Sequence, residues 1–187
     1  MGMDARVRYT KMIIRVNFVS LLKQKPLKKI TVKEICEMAE INRTTFYKYY
    51  TDAFDLFYKI EEELLLGLQA VMQHSLDDGL HKTLVTILEK IKEDSNLYIP
   101  LFSENGDTSF PIKIFRTCFM ALAESISQQF PKMNKTQRDW IYAYVMQGAG
   151  GILNDWIAGG MKESPSKVAD FTEHLISGTL ESVTRRV

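Results

Sequence analysis

Apolar residues recur at three- and four-residue steps along almost the whole chain and nowhere alternate over the length of a strand, so the available fold is all-α. Start and stop residues divide it into about nine helices. Residues 4–24 place Tyr9, Met12, Ile13, Val16, Val19 and Leu22 on one apolar stripe and Arg8, Lys11 and Arg15 on a second, and Pro26 ends that helix. Thr31-Val32-Lys33-Glu34 is a capping box that opens a short helix over 32–39, apolar at Val32, Ile35, Cys36 and Ala39. Asn42 caps another from Arg43 to about Tyr49. Thr51 or Asp52 caps a long helix over 53–75, with Leu56, Ile60, Leu64, Leu68 and Val71 or Met72 inward and Glu61, Glu62 and Glu63 in a polar band. Helices over 80–93 and 96–103 follow, then one opened by Thr108 or Ser109 with Pro111 and closed before Pro131. Asn134 caps 135–158, Gly159-Gly160 stops it, and Ser164-Pro165 starts the last, to about 184.

A chain of 187 residues, 45% of them hydrophobic, buries enough apolar surface to hold a core without disulfides or metal staples. Every apolar run falls short of the ~18–20 residues that cross a bilayer. After Arg6, Arg8 and Lys11 the sequence is cut by Arg15 and Asn17, which leaves no secretory core, so the expected location is cytoplasmic and no membrane partner is expected. Cys36 and Cys118 share no metal or redox spacing and read as small buried thiols in a reducing compartment. The net charge of +1 hides an asymmetry: residues 1–50 carry eleven Lys/Arg against four acids, a balance of +7, and residues 51–187 balance at −6. A basic head on an acidic body suits a head that seeks a polyanion.

Residues 31–50 carry the function. Two short helices joined by Glu40-Ile41-Asn42 have the lengths of a helix-turn-helix, whose second helix can enter the major groove. Phe46 and Tyr50, one turn apart, are expected to pack inward beside Ile41. Thr44, Thr45, Tyr47, Lys48 and Tyr49 are then left facing a partner, with hydroxyls and an ammonium suited to phosphates and base edges. The helix start at Thr31, beside Lys33, is a second phosphate anchor. The division expected is a DNA-binding head over 1–52 and an effector-binding and dimerisation body over 53–187.

Ile30-Thr31, Ile35, Ala39, Ile41-Asn42-Arg43, Thr45-Phe46-Tyr47 and Leu56 together resemble the N-terminal domain of the TetR/AcrR family of bacterial transcriptional regulators, over about residues 8–60. Residues 141–175, with Tyr144, Gly148, Gly151, Trp156 and Ser164-Pro165, are similar to the C-terminal domain of a subgroup that includes the dihydroxyacetone-kinase activator. The resemblance implies a three-helix head that reads double-stranded DNA, with Arg43, Thr44 and Thr45 near base edges and Tyr47 and Lys48 on phosphates. Thr44 stands where the family often has Gly, Tyr49 where it often has His, and Ala53 where a Lys often reaches phosphate, so more of the charge contact would fall to Lys48, Lys11 and Arg15. It also implies a repressor, responsive to a small molecule, that binds a palindromic operator.

In the body, the last two helices are the expected seam of a homodimer, through Ile152, Trp156, Phe171, Leu175, Thr179 and Val183, with Gly148, Gly150 and Gly151 allowing close approach. Leu64, Leu68, Met72, Tyr98, Phe102, Phe115, Phe119, Tyr142 and Met146 are large, soft side chains that can surround an apolar or aromatic effector. A second reading is a co-activator that acts through a protein docked on this body. Ser20 with Lys23 and Ser164 with Lys167 fit a Ser-x-x-Lys spacing without its companion motifs. His74 and His81, with Asp77 and Asp78 between them, lack metal-site spacing and read as solvated. No enzyme activity, catalytic residue, metal or cofactor is expected.

Overall fold

The computed structural model describes residues 5–75, 79–106, 110, 113, 114, 116 and 133–184, and the side chains of all of these except 73–75 and 184. The described residues form α1 (Ala5–Leu22), a 3-10 turn (Leu27–Lys29), α2 (Val32–Met38), α3 (Arg43–Tyr47), α4 (Ala53–Ser75), α5 (Leu80–Glu93), α6 (Ser95–Leu101), α7 (Lys135–Ala158) and α8 (Pro165–Thr184). The helix expected between Thr108 and Pro131, and Cys118, lie outside the described residues. Among those described there is no strand.

The chain divides into two compact units, Met1–Leu64 with Pro100–Thr108, and Leu65–Ile99 with Ser109–Val187, so it passes from one to the other inside α4. In the first unit α1 packs on α2 and α2 on α3. Its core holds Ile14, Phe18, Leu22, Ile35, Phe46, Leu56, Phe57 and Ile60, with the Phe18 and Phe57 rings edge to face at 6.4 Å. The buried face of α1 is not the stripe the spacing picks out: Tyr9, Met12 and Val16 are exposed, while Ile14, Phe18 and Leu21 join Val19 and Leu22 inside. Apolar residues stand on several sides of this helix, so periodicity alone leaves the choice of face to its neighbours. Glu61 likewise leaves the expected polar band. It follows Phe57 by one turn and precedes Leu64 and Leu68 on the same stripe, and is 3% exposed, whereas Glu62 and Glu63 face solvent.

The turn between α2 and α3 is a Schellman closure: the Ile41 amide donates to the Cys36 carbonyl at 3.0 Å and the Glu40 amide to the Glu37 carbonyl at 3.4 Å. That geometry puts the C′ residue in the left-handed region, and the residue there is Glu40 at φ +52°. A side chain in this region costs ~1–2 kcal/mol, partly offset in glycine by its larger unfolded-state entropy. Glu40→Gly is therefore expected to raise the stability of the head by about 0.5–1 kcal/mol, read as a higher urea midpoint at unchanged slope. A lower midpoint would show that the turn is not strained.

In the second unit α5 and α7 each pack on α8. His81 of α5 meets Asp170 of α8 at 2.6 Å. The Glu163 carbonyl in the α7–α8 turn accepts from Trp156 Nε1 at 3.1 Å and from Lys92 Nζ at 3.4 Å. No helix among the described residues is long and apolar enough to cross a membrane.

Candidate nucleic-acid interface

The two helices of the 31–50 segment are shaped by caps that act over three residues. At α2, Thr31 Oγ1 accepts from the Glu34 amide while Glu34 accepts from the Thr31 amide at 3.0 Å and hydroxyl at 2.8 Å. Lys25 also donates to Glu34, and with Thr31 it holds that carboxyl down to about 2. At α3, Asn42 Oδ1 accepts from the Thr45 amide at 2.7 Å. Asp52 does the same for the Asp55 amide of α4 at 2.8 Å. Asp55 in turn accepts from the Thr51 amide, which with Lys59 keeps its carboxyl below the usual range.

Phe46 is completely buried and Tyr50 nearly so, their ring centroids 5.5 Å apart, while Ile41 is half-buried beside the turn. Burial pushes the Tyr50 phenol up to about 12, so it stays neutral. With these two rings inward, helical geometry turns Arg43, Thr44, Tyr47 and Lys48 outward: all four are exposed, Tyr47 by 56%. Among the described residues, Arg43 and Lys48 form no ion pair. Thr45 and Tyr49 are half-buried.

The remaining sequence-expected contacts are placed less freely. The Thr31 amide and hydroxyl are both committed to Glu34, so the start of α2 offers less to an anion than its sequence suggests. Arg15 pairs with Glu63 of α4 at 2.8 Å, and Lys33 faces Glu37 at 3.7 Å. Lys11 is half-exposed, its ammonium 5.8 Å from the Tyr49 ring centroid. Ala53 is buried. Lys59, which sequence reasoning did not single out, reaches the Tyr49 carbonyl at 3.0 Å. No local pattern flags it, because its partner lies ten residues back across a turn.

In the second unit, Trp140 and Tyr144 of α7 and Phe171 and Leu175 of α8 are exposed, and Tyr144 and Leu175 line a groove of about 790 Å³ with Gly148, Ala149, Ile152, Thr172, Ile176 and Thr179. Ile152, Thr179 and Val183 are half-buried. Trp156 is 6% exposed and donates to the Glu163 carbonyl of its own unit, while lining a second groove with Ile152 and Phe171. Residues three or four apart share a helix face, and Trp156 follows Leu153 and Ala149, both buried. Of the expected effector-site residues, Leu68, Met72 and Tyr98 are buried and Tyr142 and Met146 half-buried in the second unit, while Leu64 and Phe102 are buried in the first. None of them lines the α7–α8 groove. Phe115 and Phe119 lie outside the described residues. Cys36 is buried, which pushes its thiol up.

Residues 78–178 match the model of a TetR C-terminal family described as "Transcriptional regulator C-terminal region". Over 55 residues the chain is 34% identical to the uncharacterized HTH-type transcriptional regulator YxbF of Bacillus subtilis (strain 168); that stretch is 29% of this chain and 14% of YxbF. Among solved structures, a TetR transcriptional regulator from Streptococcus agalactiae 2603V aligns with a TM-score of 0.68 at 20% identity, covering 92% of this chain and 96% of that one. The dihydroxyacetone kinase operon activator DhaS aligns at 0.63 with the same identity and coverage. The Thermus thermophilus repressor FadR, solved with lauroyl-CoA, aligns at 0.56 and 18% identity, covering 89% of this chain and 92% of that one. These likenesses to solved structures establish a shared fold.

Proposed function

The chain belongs to the TetR family of transcriptional regulators, and from that premise we propose that it is an effector-responsive repressor that reads a palindromic operator as a homodimer through α3. The observation that carries this reading is the outward set Arg43, Thr44, Tyr47 and Lys48 on a capped helix seated over buried Phe46 and Tyr50, in a head whose first 50 residues balance at +7. Arg43, Thr44 and Thr45 lie near base edges, and Tyr47, Lys48, Lys33 and Lys11 serve the phosphates. Arg15 and the Thr31 hydroxyl are assigned supporting roles, since Glu63 and Glu34 already hold them.

One copy makes few contacts, and a two-fold dimer sets a pair of reading helices ~34–36 Å apart, one turn of the duplex. The exposed face on α7 and α8 supports that pairing. A Cβ added at Gly148 or Gly151 would meet nothing within 4 Å. The fold of one chain therefore does not require these two mid-helix glycines, each of which costs ~1 kcal/mol relative to alanine, whereas a partner helix at close range does. The effector is apolar or aromatic and binds in the interior of the second unit, by Leu68, Met72 and Tyr98. It acts by binding the DNA-competent and incompetent forms unequally.

Selection from a randomised pool of short duplexes tests the reading. The protein enriches a palindromic subset, and log K falls steeply and linearly with log salt. Lys48→Ala weakens selected and scrambled duplexes alike and lowers the salt slope by about 1, whereas Arg43→Ala relaxes preference at the bases it faces. Binding that ignores salt, or no enrichment at all, removes the proposal.

A further inference from the structure

A five-residue helix closes barely one turn of its own hydrogen bonds, so the pitch of α3 has to be held from outside. Phe46 and Tyr50 fix how deep it sits. Apolar contacts are non-directional, however, and leave the helix free to roll about the line joining the two rings. Directional bonds supply what is missing. Lys59, in the second turn of α4, donates to the Tyr49 carbonyl at 3.0 Å and to Asp55 Oδ2 at 2.9 Å. The same Asp55 oxygen accepts from the Thr51 amide at 2.9 Å. The Tyr50 ring centroid lies 5.4 Å from the Lys59 ammonium. The segment that joins α3 to α4 is thus gripped by its backbone on both sides of Tyr50, at a carbonyl and at an amide, by two side chains of one α4 turn.

We infer that Lys59 is a positioning residue for DNA recognition: it sets the angle of α3 on α4 and does not itself neutralise a phosphate. Its charge is engaged by a carbonyl, a carboxylate and a ring face, in contrast to that of Lys48, which forms no ion pair among the described residues. The inference rests on the proposal that α3 reads DNA. It extends that proposal by assigning recognition to a side chain that touches no base.

The experiment uses the full chain, the duplex most enriched by the wild type and a scrambled duplex of the same composition, each titrated across a salt series. Lys59→Met keeps the apolar stem and removes the donors. It is expected to lose about tenfold in affinity for the selected duplex, the scale of one charge-assisted hydrogen bond, with the scrambled duplex and the salt slope unchanged. Lys59→Arg, which keeps a donor, restores most of the loss, and Asp55→Asn, which weakens one anchor, falls between. A slope shallower by about 1, with equal loss on both duplexes, makes Lys59 a phosphate contact and overturns the inference. So does wild-type affinity in Lys59→Met, no rescue by Lys59→Arg, or, where Lys59→Met melts below the assay temperature, a folded Asp55→Asn that binds like wild type. A wild type that enriches no duplex removes the DNA reading itself, a result distinct from an enriched duplex that Lys59→Met binds normally.

Discussion

Phe46→Ala is expected to destabilise the head by about 3–5 kcal/mol and to abolish DNA binding without altering any group that faces DNA. The ring is completely buried, tilted against Tyr50 at 5.5 Å and edge-on to Tyr47 at 5.7 Å, and it is the central apolar anchor of a helix only five residues long. Truncation removes the transfer free energy of the ring and leaves a cavity that a short helix between two turns cannot collapse to fill. Against a total stability of ~5–15 kcal/mol, the loss is at least about a fifth. Urea titration followed by far-ultraviolet circular dichroism measures it, with duplex binding in parallel. A midpoint within the error of wild type would mean that α3 is held chiefly by its polar clamp, and the division of labour between Phe46 and Lys59 would be reversed.

The second large effect belongs to the body. Phe171 and Leu175, 58% and 45% exposed, stand one turn apart on α8, while Val168, Ala169, Thr172 and Ile176 turn inward. Phe171→Asp combined with Leu175→Asp leaves that inner face untouched, so the single chain stays folded. Two carboxylates against their two-fold mates in a dry seam would each lack a partner, a cost that dissociates a dimer. The expected result is a monomer by sedimentation and a fall of at least about a hundredfold in affinity for the two-half-site duplex, since each head then docks alone. Unchanged sedimentation relative to a dimeric wild type would place the seam elsewhere.

The helix ends were legible wherever chemistry within a few residues sets them. Thr31 with Glu34, Asn42 with Thr45 and Asn134 with Gln137 each close a hydrogen bond over three positions, and each cap stands where its residues imply. The end of α7 is equally local: the Gly160 amide bonds Ile157 and the Met161 amide bonds Trp156, with Gly160 at φ +83°. Burial was less legible. Glu61 was read as outward and Tyr9, Met12 and Val16 as inward, because a stripe on a helix says that some face is covered but not which neighbour covers it.

The candidate interface divides along the same line. That Phe46 and Tyr50 anchor and that Arg43, Thr44, Tyr47 and Lys48 face outward follows from 3.6-residue geometry once the inner pair is known. That Arg15 is held by Glu63, 48 residues away, and that Lys59 reaches the Tyr49 carbonyl just past α3, does not follow from any spacing. Sequence by itself determined the helical character of the chain, its caps, its basic head and the outward residues of α3, since each depends on covalent neighbours, helical spacing or summed charge. Tertiary structure alone decided which face of α1 is buried, that Glu63 holds Arg15 and that Lys59 reaches the Tyr49 carbonyl, because those depend on side chains that only folding brings within hydrogen-bonding distance.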